Sequence, residues 1–598
     1  MTPDTPTDRA QAWLARLEAA LARHDIPAVL ALFGPRCFWR DMLAFTWNIR
    51  TFEGKDEIAG LLEATLARTA PRGFSIASPT TETDGVVETL IVFETATDCG
   101  RGHLRLKDGL GFTFLTSLAA LKGHEEKRGR TRENGVVHGI ERGRKTWLER
   151  RQEEDRELGT TRQPYCLIVG GGQGGMALGA RLRRLGVPAI ILEKNKRPGD
   201  GWRRRYKSLC LHDPVWYDHM PYIPFPDHWP VFSPKDQIAD WLEMYAKVME
   251  LNYWTSATCT RARYDDAAGE WRVEVDRDGQ PVTLRPRHLV LATGMAGVPS
   301  LPDFPGMSTF RGVQHHSSRH PSGEAYRGKR CVVIGSNNSA HDICADLWEH
   351  GADVTMVQRS STTVVRSEAM MAFSWKTLWS EDALQRGITT EIGDILGASV
   401  PHRLVPERSV PVYDRIRAHD ADFYAGLAKA GFMLDFGEDN SGISAKYARR
   451  GSGYYIDVGA SALIADGRIK LRSGVEVARI SPSGVVLSDG SELPADLIVY
   501  ATGYGSMNGW AAQLIGQDVA DKVGKCWGLG SDTAKDPGPW EGELRNMWKP
   551  TRQDGLWFMG GNLAQARFFS LILALQLKAR HVGVPTPVHA LADVHHLA

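Results

Sequence analysis

Two short segments rich in glycine and serine stand where a bound phosphate would need them. Each follows an apolar run and precedes a helical pattern: YCLIV leads into GGGQGG at residues 170–175, and RCVVI leads into GSNNSA at residues 335–340. In a strand–turn–helix unit, glycines permit a tight turn and a close approach of phosphate to the backbone, and the helix N-terminus attracts the anion. The sequence therefore predicts two dinucleotide sites.

The first segment has the complete spacing for a dinucleotide pyrophosphate. Gly170, Gly172 and Gly175 form Gly-x-Gly-x-x-Gly, and Gly174 adds another small residue. Glu193 ends the next apolar run, where a carboxylate accepts hydrogen bonds from an adenosine ribose. A glycine-rich turn without a ligand is the alternative, but the order of strand, turn, helix and acid favours a cofactor.

The second segment departs from this spacing, because Asn337 occupies the position of the second glycine. Asn tolerates a left-handed backbone better than most residues, so the turn remains feasible. The next strand ends in an arginine followed by hydroxyls, which suit a 2′-phosphate and favour NADPH; if Arg359 is only solvated, NADH stays open. The expected contacts are Gly335, Ser336, Asn337, Asn338, Ser339, Gln358, Arg359 and Ser360.

The chain around both segments repeats one order of signals. Each segment is followed by a helical stretch, a second apolar strand, a hairpin-like run and an apolar strand that ends in Ala-Thr-Gly, at Gly294 and at Gly503. The second copy is about 44 residues longer, and we place the surplus between Thr363 and Asn440. This duplication predicts an α/β fold with two Rossmann-like domains.

The chain before the duplication has a different character. Its first 120 residues or so alternate helical and strand-like runs, which predicts a small α+β unit, and residues 144–158 are charged nearly all round, as in a solvated connecting helix. The predicted division is residues 1–158 for this unit and its linker, 159–305 and 506–598 for the first dinucleotide domain, and 306–505 for the second, with the insertion near 363–440.

Composition excludes several classes of protein. Of 598 residues, 42% are hydrophobic and 24% charged, and the net charge of +1 offers no field to gather nucleic acid or anionic lipid. The eight cysteines include no Cys-x-x-Cys and no metal-ligand spacing, so we expect reduced thiols, no metal site and no disulfide reductase. No stretch approaches 18 apolar residues, and the expected location is cytoplasmic.

The order of motifs resembles the class B flavin-containing monooxygenases, which include YUCCA-like, N-hydroxylating and Baeyer–Villiger enzymes. The resemblance covers about residues 160–598. Between the two segments, Phe310, Gly312 and His316 match the family's F-x-G-x-x-x-H, whereas His320 matches neither family ending and Pro321 echoes the Baeyer–Villiger one. The other matches are the GDGW of Trp202, the Leu-His-x-Pro of His212, the ATGY of Thr502 and Gly503, and the terminal strand and helix with Asn562, Gln565 and Arg567.

The resemblance implies an enzyme with FAD and NADPH as cofactors, and NADH is a further candidate. It would insert one oxygen atom from O₂, through a flavin C(4a)-(hydro)peroxide, into ketones by Baeyer–Villiger oxidation and into sulfides. N- or S-oxygenation and oxidation of an indolepyruvate-like keto acid are alternatives, and a flavin-binding redox sensor or scaffold is the non-enzymatic one. His212 would face the reactive flavin edge and His316 would couple the domains; the alternative for each is a buried structural histidine.

The N-terminal unit resembles the cone-shaped SnoaL-like fold, which implies a helix trio against a curved sheet. Asp41, Trp47 and Arg50 are candidates to line a pocket, but we favour a packing role or a homo-oligomer contact for this unit. The insertion is a candidate apolar substrate lid, with ordinary core packing as the alternative. The residues concerned are Met370, Met371, Phe373, Trp375 and Trp379.

Overall fold

A computed structural model describes residues 5–136, 138–295 and 297–595. Its N-terminal unit packs three helices against a seven-stranded sheet of order β2-β1-β7-β6-β5-β3, in which β4 pairs with β5. The elements are α1 (Pro6–Ala22), α2 (Ile26–Ala31), β1 (Phe33–Met42), β2 (Ile49–Glu53), α3 (Gly54–Thr69), β3 (Arg72–Ile76), β4 (Thr81–Thr83), β5 (Val86–Glu94), β6 (Asp98–Lys107) and β7 (Leu110–Leu121). The α+β prediction is therefore confirmed.

The N-terminal sheet contributes to two hydrophobic cores. One face packs on its own helices, where Trp13 and Trp39 meet Phe114 edge-on at ring-centroid distances of 5.5 and 4.8 Å. On the other side, Ile49 and Leu118 belong to the core that continues into the next sheet of the chain. Burial on both sides anchors this unit to the rest of the protein through apolar packing.

The charged segment forms an exposed helix, as predicted, and the first duplicated half follows it. Five parallel strands take the order β10-β9-β8-β14-β25, beside an antiparallel sheet β11-β12-β13. The elements are α4 (Trp147–Glu157), β8 (Cys166–Val169), α5 (Gln173–Arg184), β9 (Ala189–Leu192), α6 (Asp200–Arg203), α7 (Val215–Asp218), α8 (Lys235–Val248), β10 (Tyr253–Trp254), β11 (Ala257–Asp265), β12 (Glu270–Arg277), β13 (Gln280–Leu284) and β14 (His288–Leu291).

The second half repeats this topology. Its parallel sheet has the order β15-β24-β16-β17-β20 beside the antiparallel β21-β22-β23, so both glycine-rich turns follow the central strand. The elements are β15 (Val313–His316), β16 (Arg330–Ile334), α9 (Asn338–Glu349), β17 (Asp353–Gln358), β20 (Lys470–Ser473), β21 (Val477–Ser481), β22 (Gly484–Leu487), β23 (Glu492–Pro494) and β24 (Leu497–Tyr500). The predicted duplication of Rossmann-like sheets is confirmed.

The inserted segment between β17 and β20 is mostly helical. Two parallel strands, β18 and β19, stand at its ends, so it extends beyond the predicted 363–440. Met370 and Trp375 lie in its buried core, which favours core packing over a lid for most of its apolar residues. The elements are β18 (Thr363–Arg366), α10 (Ser367–Met370), α11 (Glu381–Gln385), α12 (Thr390–Ala398), α13 (Val405–His419), α14 (Ala421–Lys429), α15 (Gly442–Arg450), β19 (Tyr454–Asp457) and α16 (Ala460–Ala465).

The chain finally returns to the first sheet. After α17 (Asn508–Leu514) and α18 (Gln517–Val523), β25 (Leu556–Phe558) pairs in parallel with β14, and α19 (Leu563–His581) packs against α5. This return brings the start of α19 next to the first glycine-rich turn. Across the described residues, no helix combines the length and apolar character needed to cross a bilayer.

Candidate functional site

The first glycine-rich turn has the shape of a phosphate cradle. Gly170 has φ +112°, and a Cβ there would lie 2.3 Å from the Ala292 carbonyl oxygen. A Cβ on Gly175 would lie 2.0 Å from the carbonyl oxygen of Gly170, so this glycine is needed for packing. A Cβ on Gly172 would meet no protein atom within 4 Å. The open space at Gly172, at the N-terminus of α5, suits a pyrophosphate.

Glu193 stands beside this cradle, at the end of β9. Its carboxylate accepts hydrogen bonds from the backbone N–H of Gly171 at 3.2 Å and of Asn195 at 2.8 Å. Tyr253 donates its hydroxyl to the Gly171 carbonyl at 2.7 Å. The loop and the acid are thus held together, as binding of an adenosine ribose requires. Trp202 is half-buried on α6.

The second turn does not have the left-handed backbone that we expected at Asn337. Asn337 has φ −98° and ψ −170°, an extended conformation rather than the left-handed one, and only Gly335, with φ +131°, needs glycine's freedom. Asn338 accepts a hydrogen bond from the Ile456 backbone at 3.1 Å, and Ser336 shares one with Thr362 at 2.8 Å. These two side chains therefore fasten the turn to the inserted segment. Ser339 is half-buried in the first turn of α9.

The predicted cofactor contacts at the end of β17 differ in their exposure to solvent. Gln358 is completely buried, and both ends of its amide bond the Met433 backbone at 2.9 Å. Its side chain therefore has a structural role, and its assignment to the cofactor stays a prediction. Arg359 and Ser360 are exposed, and within the described part of the chain no carboxylate forms an ion pair with Arg359. An unpaired guanidinium here is free to bind a 2′-phosphate.

His316 fastens the segment between the domains to the turn after β24. Its imidazole lies 3.0 Å from the Gly503 carbonyl oxygen through Nε2 and 2.9 Å from Ser318 Oγ through Nδ1. Thr502 donates its hydroxyl to the Ser300 carbonyl at 2.6 Å. Burial lowers the pKa of His316, which keeps the imidazole neutral. These contacts suit a positioning residue at the domain junction.

His212 also contacts the second half of the chain. Its Nε2 lies 3.5 Å from Asp342 Oδ2 on α9, and Tyr206 donates to the same carboxylate at 2.6 Å. Burial would lower the pKa of His212, but the hydrogen bond and charge of Asp342 outweigh it and raise that pKa. The structure places His212 in a polar contact between the two halves of the chain, and its position at a flavin edge stays a prediction.

Asp213, the next residue, is the one that sequence reasoning missed. Burial raises the pKa of this carboxyl to about 6, and no described residue forms a hydrogen bond with it. Burial also raises the pKa of Tyr217, Tyr447 and Tyr454, and the nearby Asp213 carboxylate adds to each rise. A half-buried carboxyl with a pKa raised to about 6 is suited to hold or release a proton. The available signal was its position within the same Leu-His-Asp-Pro motif.

The start of α19 connects the cradle with this tyrosine cluster. Asn562 caps the helix by accepting from the Gln565 backbone at 2.9 Å, and its Nδ2 donates to the Tyr217 hydroxyl at 3.3 Å. The side-chain amide oxygen of Gln565 accepts a hydrogen bond from the Tyr447 hydroxyl at 2.9 Å. Gly174 faces the other side, where a Cβ would lie 3.2 Å from the Met559 carbonyl oxygen. Arg567 donates hydrogen bonds to the Asp394 carboxylate on α12 at 2.8 Å, and its contact with a cofactor stays a prediction.

A cavity of about 250 Å³ opens beside the first turn of α19. Its wall is mostly apolar, and its charged groups are paired: Arg40 with Glu543 at 2.6 Å, and Asp394 with Arg567 at 2.8 Å. The lining residues are Arg40, Ile49, Tyr217, Trp379, Asp394, Gly397, Ala398, His402, Glu543, Leu544, Met547, Trp548, Ala564, Gln565, Phe568 and Phe569. Among the predicted lid residues, only Trp379 lines it.

The predicted N-terminal pocket residues lie off this cavity. Asp41 is completely buried and accepts from Thr46 and Thr116 side chains at 2.7 Å, so it stabilises its own loop. Arg50 donates to the Glu541 carbonyl oxygen at 3.1 Å. Trp47 is buried in the shared core. Their neighbours Arg40 and Ile49 reach the cavity instead, because alternate residues of a strand face opposite sides.

Comparison with known proteins gives consistent relatives. The family model described as pyridine nucleotide-disulphide oxidoreductase matches residues 167–401. The chain is 34% identical over 344 residues to indole-3-pyruvate monooxygenase YUCCA1 of Oryza sativa subsp. japonica, which spans 57% of this chain and 77% of that protein. It is 32% identical over 346 residues to the probable indole-3-pyruvate monooxygenase YUCCA3 of Arabidopsis thaliana, with shares of 57% and 73%.

Solved structures show the same fold. A cyclohexanone monooxygenase mutant from Rhodococcus sp. Phi1 bound to NADP+ is similar at 16% identity and a TM-score of 0.50, over 70% of this chain and 86% of that one. The chain belongs to the class B flavin monooxygenase family. It is a flavin-dependent monooxygenase with FAD and NADPH as its cofactors, and this displaces the non-enzymatic alternative. The eight cysteines include no Cys-x-x-Cys pair, the redox motif of a disulfide reductase.

Proposed function

We propose that this monooxygenase oxidises uncharged apolar substrates, namely ketones to esters or lactones by Baeyer–Villiger oxidation, and sulfides to sulfoxides. The observation that carries the proposal is the cavity at the start of α19, whose wall is apolar and whose charged side chains neutralise one another. Such a site binds a neutral ring without leaving an ion unpaired. For a ketone, the balanced reaction consumes one O₂, one NADPH and one proton and yields ester, water and NADP+.

The two turns divide the cofactors between them. FAD would lie on Gly170, Gly172 and Gly175 with Glu193 at its ribose, and NADPH on the turn at Gly335 with Arg359 at its 2′-phosphate. When bound, FAD supplies the electron transfer from NADPH and the activation of O₂. The domain division proposed above follows from this assignment, and NADH remains a proposed second donor.

The chain's own residues would position the substrate and manage a proton. Asp213, whose carboxyl has a pKa of about 6, can hold a proton near neutral pH beside the tyrosine cluster. His316 fixes the turn at Gly503 and therefore the junction that faces the nicotinamide domain. Trp379, Trp548 and Phe569 exclude water from the cavity, which protects reactive groups from side reactions.

A second candidate is the oxidative decarboxylation of a 2-keto acid, which is favoured by the similarity to two relatives named as indole-3-pyruvate monooxygenases. A keto acid would yield the shortened acid, CO₂, water and NADP+ from one O₂, one NADPH and one proton. Its carboxylate would need an unpaired cation, whereas Arg40 already pairs with Glu543.

Competition between two substrates tests the choice. The purified FAD-loaded protein would receive NADPH, O₂ and equal concentrations of acetophenone and indole-3-pyruvate, and the products would be separated by chromatography. We expect phenyl acetate as the main product. Predominant indole-3-acetate would favour the keto-acid candidate and overturn the proposal.

A further inference from the structure

The N-terminal unit supplies one wall of the cavity. Arg40 on β1 and Ile49 on β2 line it, although both precede the first dinucleotide site by more than 100 positions. Arg40 is 4% exposed and Ile49 is 3% exposed. Most of the remaining wall comes from α12, from the segment before β25 and from α19, and Tyr217, Trp379 and His402 complete it. The cavity is therefore complete only when the N-terminal unit is in place.

Arg40 has hydrogen-bond donors to spare in this wall. Its Nε and Nη2 donate to the Glu543 carboxylate at 2.7 and 2.6 Å, and its Nη1 donates to the Ala398 carbonyl oxygen. A guanidinium carries five N–H groups, so these three bonds leave two unused. Glu543 balances the charge of Arg40. The pair thus offers hydrogen-bond donors without a net attraction for an anion.

We propose that the N-terminal unit forms part of the substrate site, and that Arg40 donates a hydrogen bond to the carbonyl oxygen of a neutral ketone in the cavity. This inference rests on the proposed function and extends it to a named specificity residue. The volume is suitable, because an apolar cavity of about 150 Å³ already holds benzene, and this one has about 250 Å³. A ring bearing a carbonyl group fits there, with its ring against Trp548 and Phe569.

Arg105 is a matched control for Arg40. It is also a buried arginine of the N-terminal sheet, it pairs with Glu88 at 2.9 Å, and it donates to the Ser399 carbonyl oxygen at 3.3 Å, next to Ala398. It does not line the cavity. Lysine at either position keeps the charge for the partner glutamate but loses the guanidinium's additional donors. R40K and R105K therefore both remove a buried guanidinium from the N-terminal sheet, and only R40K changes the wall of the cavity.

The experiment measures binding without turnover. FAD-loaded full-length protein, without NADPH, is titrated with acetophenone and with α-methylstyrene, in which a CH₂ group replaces the carbonyl oxygen, and Trp fluorescence reports binding. We expect R40K to weaken acetophenone binding roughly five- to tenfold and to leave α-methylstyrene binding unchanged. R105K should change neither by more than about twofold. Wild-type acetophenone affinity in R40K would overturn the role of Arg40.

A change of volume tests the wall independently of the hydrogen bond. I49W should abolish binding of both probes, because the indole fills the cavity, and V92W on the exposed face of β5 should abolish neither. FAD content and melting temperature would verify folding, and I49A, which enlarges the cavity, should bind both probes. Unchanged binding in I49W would show that the N-terminal unit only packs. Normal probe binding without any oxygenated product would instead contradict the proposed function.

Discussion

Asn337 and Gly172 have the same backbone conformation at the N-caps of two helices. Their φ and ψ angles are −98° and −170° for Asn337, and −76° and −170° for Gly172. Asn in place of the second glycine of the motif therefore leaves the turn undisturbed, since neither Asn337 nor Gly172 needs a left-handed backbone. What differs is the side chain, because Asn337 carries an amide where Gly172 has only a hydrogen atom.

The glycines of the first turn predict two different mutant behaviours. G172A should lower FAD content without changing the melting temperature of the apoprotein, because its methyl group meets only the open cradle. G175A should lower that melting temperature, because its methyl group would lie 2.0 Å from a backbone carbonyl oxygen. Flavin absorbance and thermal unfolding measure the two effects. Full FAD content in G172A would contradict the assignment of this turn to the FAD pyrophosphate.

Arg359 should set the preference for NADPH. R359A removes a charged hydrogen-bond donor, worth about 1.5–3 kcal/mol, so KM for NADPH should rise roughly tenfold to a hundredfold and KM for NADH should remain unchanged. R479A, at an exposed arginine on β21, is the control. A parallel rise for both nucleotides would indicate that Arg359 does not contact the 2′-phosphate.

Asp213 should make stability depend on pH. Its pKa is about 6 in the folded protein against an ordinary value of 3.8, so the folded state binds the proton more tightly. Ionisation of Asp213 therefore lowers the free energy of unfolding. The loss begins above about pH 4 and reaches its full size above about pH 6. D213N should raise stability by about 2–3 kcal/mol at pH 8 and have little effect at pH 4. Melting temperatures at both pH values check this, and equal shifts would contradict the burial argument.

Arg567 and Asp394 form a second buried pair whose partners should be strongly coupled. R567M leaves the Asp394 carboxylate buried without its partner and should destabilise the protein by about 3–5 kcal/mol. The double variant with D394N should recover most of that loss, because no buried charge remains. Denaturant unfolding of the FAD-loaded protein measures both. If the double variant loses the sum of the two single losses in free energy of unfolding, the two residues do not interact.

The sequence predicted what local patterns determine. Both turns, the duplicated sheets and the solvated helix near residue 150 follow from apolar runs and glycine spacing, which act over a few neighbouring residues. The sequence did not reveal the long-range contacts of the fold. Gln358 bonds a backbone 75 positions away, His212 meets Asp342 across the two halves, and Arg40 meets Glu543 across 503 positions. No periodicity encodes such contacts, because the folded topology creates them.

The central claim is that the enzyme inserts oxygen into neutral substrates. The most direct measurement supplies ¹⁸O₂ and NADPH to the FAD-loaded protein with acetophenone or methyl phenyl sulfide, and analyses products by mass spectrometry while NADPH consumption is followed. The account predicts one ¹⁸O atom in phenyl acetate or in the sulfoxide, and one product molecule per NADPH. NADPH consumption that ends entirely in hydrogen peroxide, with neither product labelled, would contradict it.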